Sequence, residues 1–229
     1  MFRDQRRERG GDRRAAGRAR PPAGARGVRV GLFGGSFDPV HRGHVETALA
    51  ARRDLGLERV LFVPTAQPPH KPERRFAPAL ARYAMVELAL LDLPELEVWD
   101  VELAPGRPAY TIETLERFAA ERPRDEPVLV LGSDALAALD TWRRWSEILE
   151  LARLAVVERP GAARAAVLAG IGAGLAGRLA SARVEWVTSA PHPASASEIR
   201  RRLGAGEPVP EGWLDPRVLK FVHKYRLYR

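Results

Sequence analysis

The sequence predicts an α/β domain built on a doubly wound parallel sheet with helices on both faces. Three observations carry that expectation. From Val28 onward, short apolar runs alternate with longer stretches of helical spacing, the pattern of repeated β-α units. A glycine-rich motif, Gly34-Gly35-Ser36-Phe37-Asp38-Pro39-Val40-His41-Arg42-Gly43-His44, follows the first of these runs. Open α/β sheets bind their ligands there, beyond the carboxyl end of a strand. The 229 residues show no internal repeat and no break after residue 27, enough chain for one domain that buries roughly 70% of its unfolded surface.

The elements follow in order. Val28-Arg29-Val30-Gly31-Leu32-Phe33 reads as the first strand, 28–33. The helix over 43–55 places Val45, Ala48, Leu49 and Arg52 at helical spacing, and Gly56 suits its C-terminal cap. Strand 59–63 and helix 77–91 come next, then strand 96–101 and a helix over 111–121 capped by Thr111. The Val- and Leu-rich run 127–132 is the fourth strand. Short helices over 134–139 and 145–150, strand 153–158, a long helix 163–180 and strand 183–187 continue the alternation. The helix over 196–203 opens on Ser195-x-x-Glu198, a capping box, and a last helix spans 215–225. The whole is a Rossmann-like arrangement.

Composition excludes several classes of function. There is no cysteine, so neither a disulfide framework nor a thiolate metal site exists. No stretch approaches the roughly 18 apolar residues of a membrane span, and the N-terminus lacks the apolar core of a secretory signal. A cytoplasmic protein is expected. The net charge of +8 is concentrated: residues 1–27 hold nine arginines against three acids, leaving +2 for residues 28–229. That tail cannot order itself by burial and reads as disordered; residues 28–229 form the single working domain. Near-balanced charge does not mark that domain as a nucleic-acid binder.

The Gly34–His44 string combines what polyphosphate chemistry needs. Its glycines let backbone approach a phosphate, the following helix start presents N–H groups to an anion, and His41 and His44 are three residues apart, able to project to one side. Asp38 suits a structural role, accepting backbone N–H bonds to fix the turn.

Taken with Pro68-Pro69-His70-Lys71, Tyr110-Thr111-Ile112-Glu113-Thr114-Leu115, Gly132-Ser133-Asp134, Thr141-Trp142, Arg159-Pro160-Gly161, Ser195-Ala196-Ser197-Glu198-Ile199-Arg200 and Leu227-Tyr228-Arg229, the string resembles the nucleotidyltransferase superfamily, and within it bacterial nicotinate-nucleotide adenylyltransferases. The resemblance implies adenylyl transfer from ATP to nicotinate mononucleotide, giving nicotinate adenine dinucleotide and pyrophosphate in NAD biosynthesis. It implies catalytic roles for His41, His44, Lys71 and Arg200 around the triphosphate, with one histidine protonated as pyrophosphate departs. ATP would also meet Gly35, Ser36 and Phe37 through backbone N–H groups, and Ser197. Gly132 and Asp134 would take the ribose, the alternative for Asp134 being a helix cap. Arg159 would meet adenine or a phosphate, or stand on the surface. Thr111 would contact the nicotinate carboxylate and Trp142 would stack on the pyridine ring, core packing being its alternative. Mg²⁺ would arrive with ATP, held by phosphates and water, with no dedicated protein ligand. A homo-oligomer stays open. Ala194 and Ser197 stand where the family usually has Ile and Thr, and Ala109 and Glu113 where Ser and Asp are common.

Two other readings compete: a related enzyme such as pantetheine-phosphate adenylyltransferase, and a nucleotide-responsive nucleic-acid-binding protein with the arginine tail as its arm.

Overall fold

The computed structural model describes residues 27–66, 76–104, 109–158, 164–190 and 192–229. Among the described residues six strands form one sheet: β1 (Arg29–Gly35), β2 (Arg59–Pro64), β3 (Leu96–Val98), β4 (Glu126–Gly132), β5 (Arg153–Glu158) and β6 (Val184–Thr188). All neighbours pair in parallel, in the order β3-β2-β1-β4-β5-β6. The helices are α1 (Arg42–Leu55), α2 (Ala79–Leu90), α3 (Thr111–Glu121), α4 (Ser133–Ala137), α5 (Trp145–Leu151), α6 (Arg164–Ala169), α7 (Ala173–Leu179), α8 (Ala196–Ala205) and α9 (Pro216–Lys224). None of the described helices is long and apolar enough to cross a membrane.

The period-2 geometry of a strand divides its side chains between two cores. In β4, Val128 and Val130 enter one cluster while Leu129 and Leu131 enter the other; in β5, Ala155 and Val157 oppose Leu154 and Val156. One core packs α1, α2, α8 and α9 through Val45, Met85, Ile199 and Val218. The other packs α3, α4, α5 and α7 through Ile112, Leu136, Ile148 and Leu175. Burial on both faces explains why the central strands β2, β4 and β5 read as continuous apolar runs rather than alternating ones.

The strand order reverses between β1 and β4, which leaves a crevice at their carboxyl ends. That is where the site lies.

Some boundaries differ from the sequence reading. β1 runs on through Gly34 and Gly35, which pair with Val63 and Pro64, so the glycine pair ends the strand rather than opening the loop. The run 96–101 holds strand pairing only to Val98; the Leu103 N–H then turns back to the Asp100 carbonyl. The long helix over 163–180 is two helices, α6 and α7, parted at Gly170–Gly172. Glycine is about 1 kcal/mol worse than alanine inside a helix, and here Asp140 Oδ2 stands 3.1 Å from where a Cβ of residue 172 would be. The helix over 134–139 is the short α4 followed by a 3-10 turn, Leu139–Thr141.

Candidate functional site

The site begins where β1 ends. Phe37 takes a left-handed φ of 46° and drops its ring into the core, 1% exposed, against Phe33, Phe62 and His44. A Cβ at residue 35 would meet that ring at 3.0 Å, so glycine is required there by close packing. Only the backbone of Phe37 is left to face a ligand.

Asp38, 1% exposed, precedes a cis Pro39 and has the structural role its position suggests. Its Oδ1 accepts from the Ala77 N–H at 3.1 Å and from the Tyr228 hydroxyl at 2.8 Å. Arg82 supports the same loop from beneath. It is fully buried and donates to the Ala77, Ser36 and Ala66 carbonyls at 2.9, 2.6 and 2.8 Å. Burial lowers the Arg82 pKa, opposed by the charge of Asp38.

His41 is the N-cap residue of α1 and His44 lies one turn on. The His41 N–H donates to His44 Nδ1 at 3.2 Å, which leaves Nε2 of His44 as the protonated nitrogen in the neutral ring. The two rings stand 3.7 Å apart, centre to centre. Burial, followed by repulsion from His192, brings His41 down to about 4. Burial, then His41, holds His44 well below the ordinary histidine range. In the ligand-free protein both imidazoles are therefore uncharged at neutral pH, because a buried imidazolium without a counter-charge is disfavoured.

α8 closes the loop from the opposite side. Arg200 donates to the Asp38 carbonyl at 2.6 Å and to Ser197 Oγ at 3.1 Å, joining residues 162 positions apart. Ser195 caps α8 by accepting the Glu198 N–H at 3.2 Å. The reciprocal half of the capping box is corrected: the Glu198 carboxylate pairs with Arg201 and Arg202, each at 2.8 Å, and Arg201 pulls it down to about 2.

Across the crevice, Gly132 ends β4 and is itself the N-cap of α4, with open space where a Cβ would project. Asp134 is exposed in the first turn, and because Gly132 holds the cap position the capping alternative for Asp134 falls away. Ser133 donates to the Val157 carbonyl at 3.4 Å. Thr111 is the first residue of α3, not its cap; Tyr110 holds that position because its carbonyl accepts the Glu113 and Thr114 N–H groups. Thr111 lines a crevice with Gly34, Val63, Glu102 and Thr114. Trp142 follows the 3-10 turn, partly buried against the second core. Lys71, His70 and Arg159 lie outside the described residues.

The sequence reading missed three residues. Arg82 hides in a helix of otherwise ordinary pattern. His192, whose Nδ1 accepts the Ala194 N–H at 3.1 Å, packs its Cβ 3.5 Å from where a Cβ of residue 43 would lie. Glu102 is a carboxyl pushed up by burial and held by hydroxyls of Thr114 and Thr65. Its proximity to Tyr110-Thr111 was the only available signal. Among the described residues no group of three or more His, Asp or Glu gathers as a metal cage.

The cytidylyltransferase-like family model matches residues 32–202. A Symbiobacterium thermophilum protein named "Probable nicotinate-nucleotide adenylyltransferase" is 39% identical over 204 residues, covering 88% of this chain and 95% of its own. A Thermus thermophilus protein of the same name is 37% identical over 212 residues, covering 88% and 100%. Among solved structures, Plasmodium falciparum nicotinic acid mononucleotide adenylyltransferase complexed with APC superposes with a TM-score of 0.69 at 16% identity, covering 88% of this chain and 97% of its own. That last likeness concerns the fold.

Proposed function

The chain belongs to the nicotinate-nucleotide adenylyltransferase family, and from that membership we propose that it joins nicotinate mononucleotide to the adenylyl group of ATP, releasing pyrophosphate. In this reaction an anionic oxygen of the mononucleotide's 5′-phosphate attacks the α-phosphorus, a P–O bond forms, and the bond from the α-phosphorus to the bridging oxygen breaks. Pyrophosphate leaves with the electron pair. The nucleophile is already deprotonated, so no side-chain base or covalent intermediate is needed. Catalysis rests on alignment, worth about 7–11 kcal/mol when it is good, and on stabilising the charge that moves onto pyrophosphate.

The observation that carries this reading is the convergence of the His41–His44 pair with the Arg200–Asp38 clasp at the β1/β4 switch point. In the proposed arrangement His41 and His44 hydrogen-bond the triphosphate, and its charge draws protons onto rings that are neutral without it. The backbone at Gly35, Ser36 and Phe37 receives phosphate oxygens, with Ser197 and Arg200 approaching from α8. Lys71 and Arg159 are further cationic contacts in the same proposal. Gly132 and Asp134 take the ribose. Thr111, at the start of α3, receives the nicotinate carboxylate, favoured by the positive helix end, and Trp142 offers a ring face. The substrate is MgATP, its Mg²⁺ carried by phosphates and water. Residues 28–229 form the working domain, and a cytoplasmic setting belongs to the same proposal.

Pyrophosphate release with MgATP tests the reading against three acceptors: nicotinate mononucleotide, nicotinamide mononucleotide and phosphopantetheine. Turnover should be high with the first and far lower with the other two. Comparable rates for the two mononucleotides would overturn carboxylate recognition.

A further inference from the structure

Glu102 has no part in the chemistry described above, yet it sits where the two halves of the site meet. Its Oε2 accepts the Thr65 hydroxyl at 2.9 Å and its Oε1 accepts the Thr114 hydroxyl at 2.6 Å. Thr65 directly follows β2, and its N–H donates to the Gly35 carbonyl at 3.0 Å, at the root of the phosphate loop. Thr114, 6% exposed, lies in the first turn of α3, three residues after Thr111. The main chain adds a strut, since the Glu102 carbonyl accepts the Ala66 N–H at 3.1 Å. The Ala66 carbonyl in turn accepts from Arg82, which also holds Ser36. A continuous set of hydrogen bonds thus runs from the phosphate loop through one carboxyl group to the start of α3. Glu102 also borders the same crevice as Gly34 and Thr111.

We propose that Glu102 is a positioning residue that fixes the separation between the triphosphate-holding loop and the acceptor-holding helix. The proposal rests on the adenylyltransferase reading. The geometric need is plain: reacting atoms must be held about 3–3.5 Å apart, and a displacement of about 1 Å can lower the rate on the order of 100-fold. Charge-assisted hydrogen bonds from two hydroxyls to one carboxylate are short and directional. They stiffen a junction that is otherwise made of separate strand and helix ends. In this proposal the carboxyl group acts not on a substrate but through Thr65 and Gly35 on one side and Thr114 of α3 on the other.

The test compares Glu102→Ala with Glu102→Gln. An amide can still accept from one threonine hydroxyl and donate to the other, so glutamine preserves the bridge without the charge. Glu102→Ala should lower kcat at saturating substrates by about tenfold or more, with KM for MgATP and the Kd of a non-hydrolysable ATP analogue within about threefold of the parent. Glu102→Gln should recover most of that loss. A Glu102→Ala enzyme with kcat within about threefold of the parent would overturn the proposal, as would a glutamine variant as impaired as the alanine one. If Glu102→Ala does not fold, Thr65→Val cuts the β2 arm alone. It must then show a smaller kcat loss in the same pattern, and parent-like kcat would again overturn it. Should the parent prefer another acceptor, the function reading falls by itself and the same comparison is made with that acceptor.

Discussion

Two neutral imidazoles stacked at the start of α1 are the chemically distinctive residues of this chain. His44 accepts the His41 N–H, so truncating it removes one helix-start hydrogen bond, about 1 kcal/mol of stability. The effect on turnover should be far larger: His44→Ala is expected to lose orders of magnitude in kcat while melting within a few degrees of the parent. Steady-state pyrophosphate release beside a thermal melt checks both halves. Acid provides a second test. In the folded, ligand-free protein His41 is held at about 4, below the ordinary 6.5, so the unfolded chain binds a proton that the folded one refuses. Stability is therefore undiminished above pH 6.5 and declines as pH falls from 6.5 toward 4, by up to about 1.4 kcal/mol per pH unit for each such histidine. His41→Gln should flatten this decline in melts across that range; an unchanged slope would contradict the assignment. The histidine spacing was legible in the sequence, and so was the structural role of Asp38. Their electrostatics were not, because burial by Phe37 and the approach of His192 come from residues that tertiary packing brings in. Arg82 was invisible for the same reason, since its three carbonyl partners lie in loops that only the fold assembles.

At the level of elements, the central strands β2, β4 and β5 were read well because their middles are apolar and buried on both faces, whereas the half-exposed edge strand β3 was read too long. Helix breaks were harder. The segment after residue 163 is rich in alanine, and nothing local distinguishes one long helix from α6 and α7 parted by Gly170–Gly172. Caps misled where backbone alone closes a helix, as Tyr110 does for α3. The junction of β1 with the phosphate loop yields a prediction of its own. Gly35→Ala places a methyl group 3.0 Å from the buried Phe37 ring, and overpacking of this kind typically costs about 1–3 kcal/mol. The loop must shift to relieve it. The variant should melt lower, bind the ATP analogue more weakly and turn over more slowly, as calorimetry and initial rates would register. Parent-like affinity would show that the loop tolerates the methyl group.

For the whole molecule, alternation of short strands and helices sufficed to predict a parallel sheet wound on both sides, and the observed order β3-β2-β1-β4-β5-β6 is of that kind. The contact between Asp38 and Arg200 could not be found by spacing, because only the complete winding of the chain brings α8 back over β1. The first 27 residues carry +6 of the total +8, and every residue assigned a role in the proposed reaction lies after them. Removing residues 1–26 should leave kcat and both KM values within about twofold while abolishing any salt-sensitive RNA retention, which falls steeply with ionic strength when arginines contact phosphates. A truncated enzyme without activity would show that the tail reaches the site.

The division of the molecule by its sheet has a consequence for how such an enzyme diversifies. The helices α1 and α8, with the loop they enclose, pack on one side, while α3 belongs to the other. Changes that retailor the acceptor pocket can accumulate around α3 without disturbing the packing beneath the phosphate cradle. A combinatorial library confined to α3, with Thr114 and the residues of α4 kept, is thus the direct route to new pairings: altered choice of coupling partner, with the donor half inherited intact.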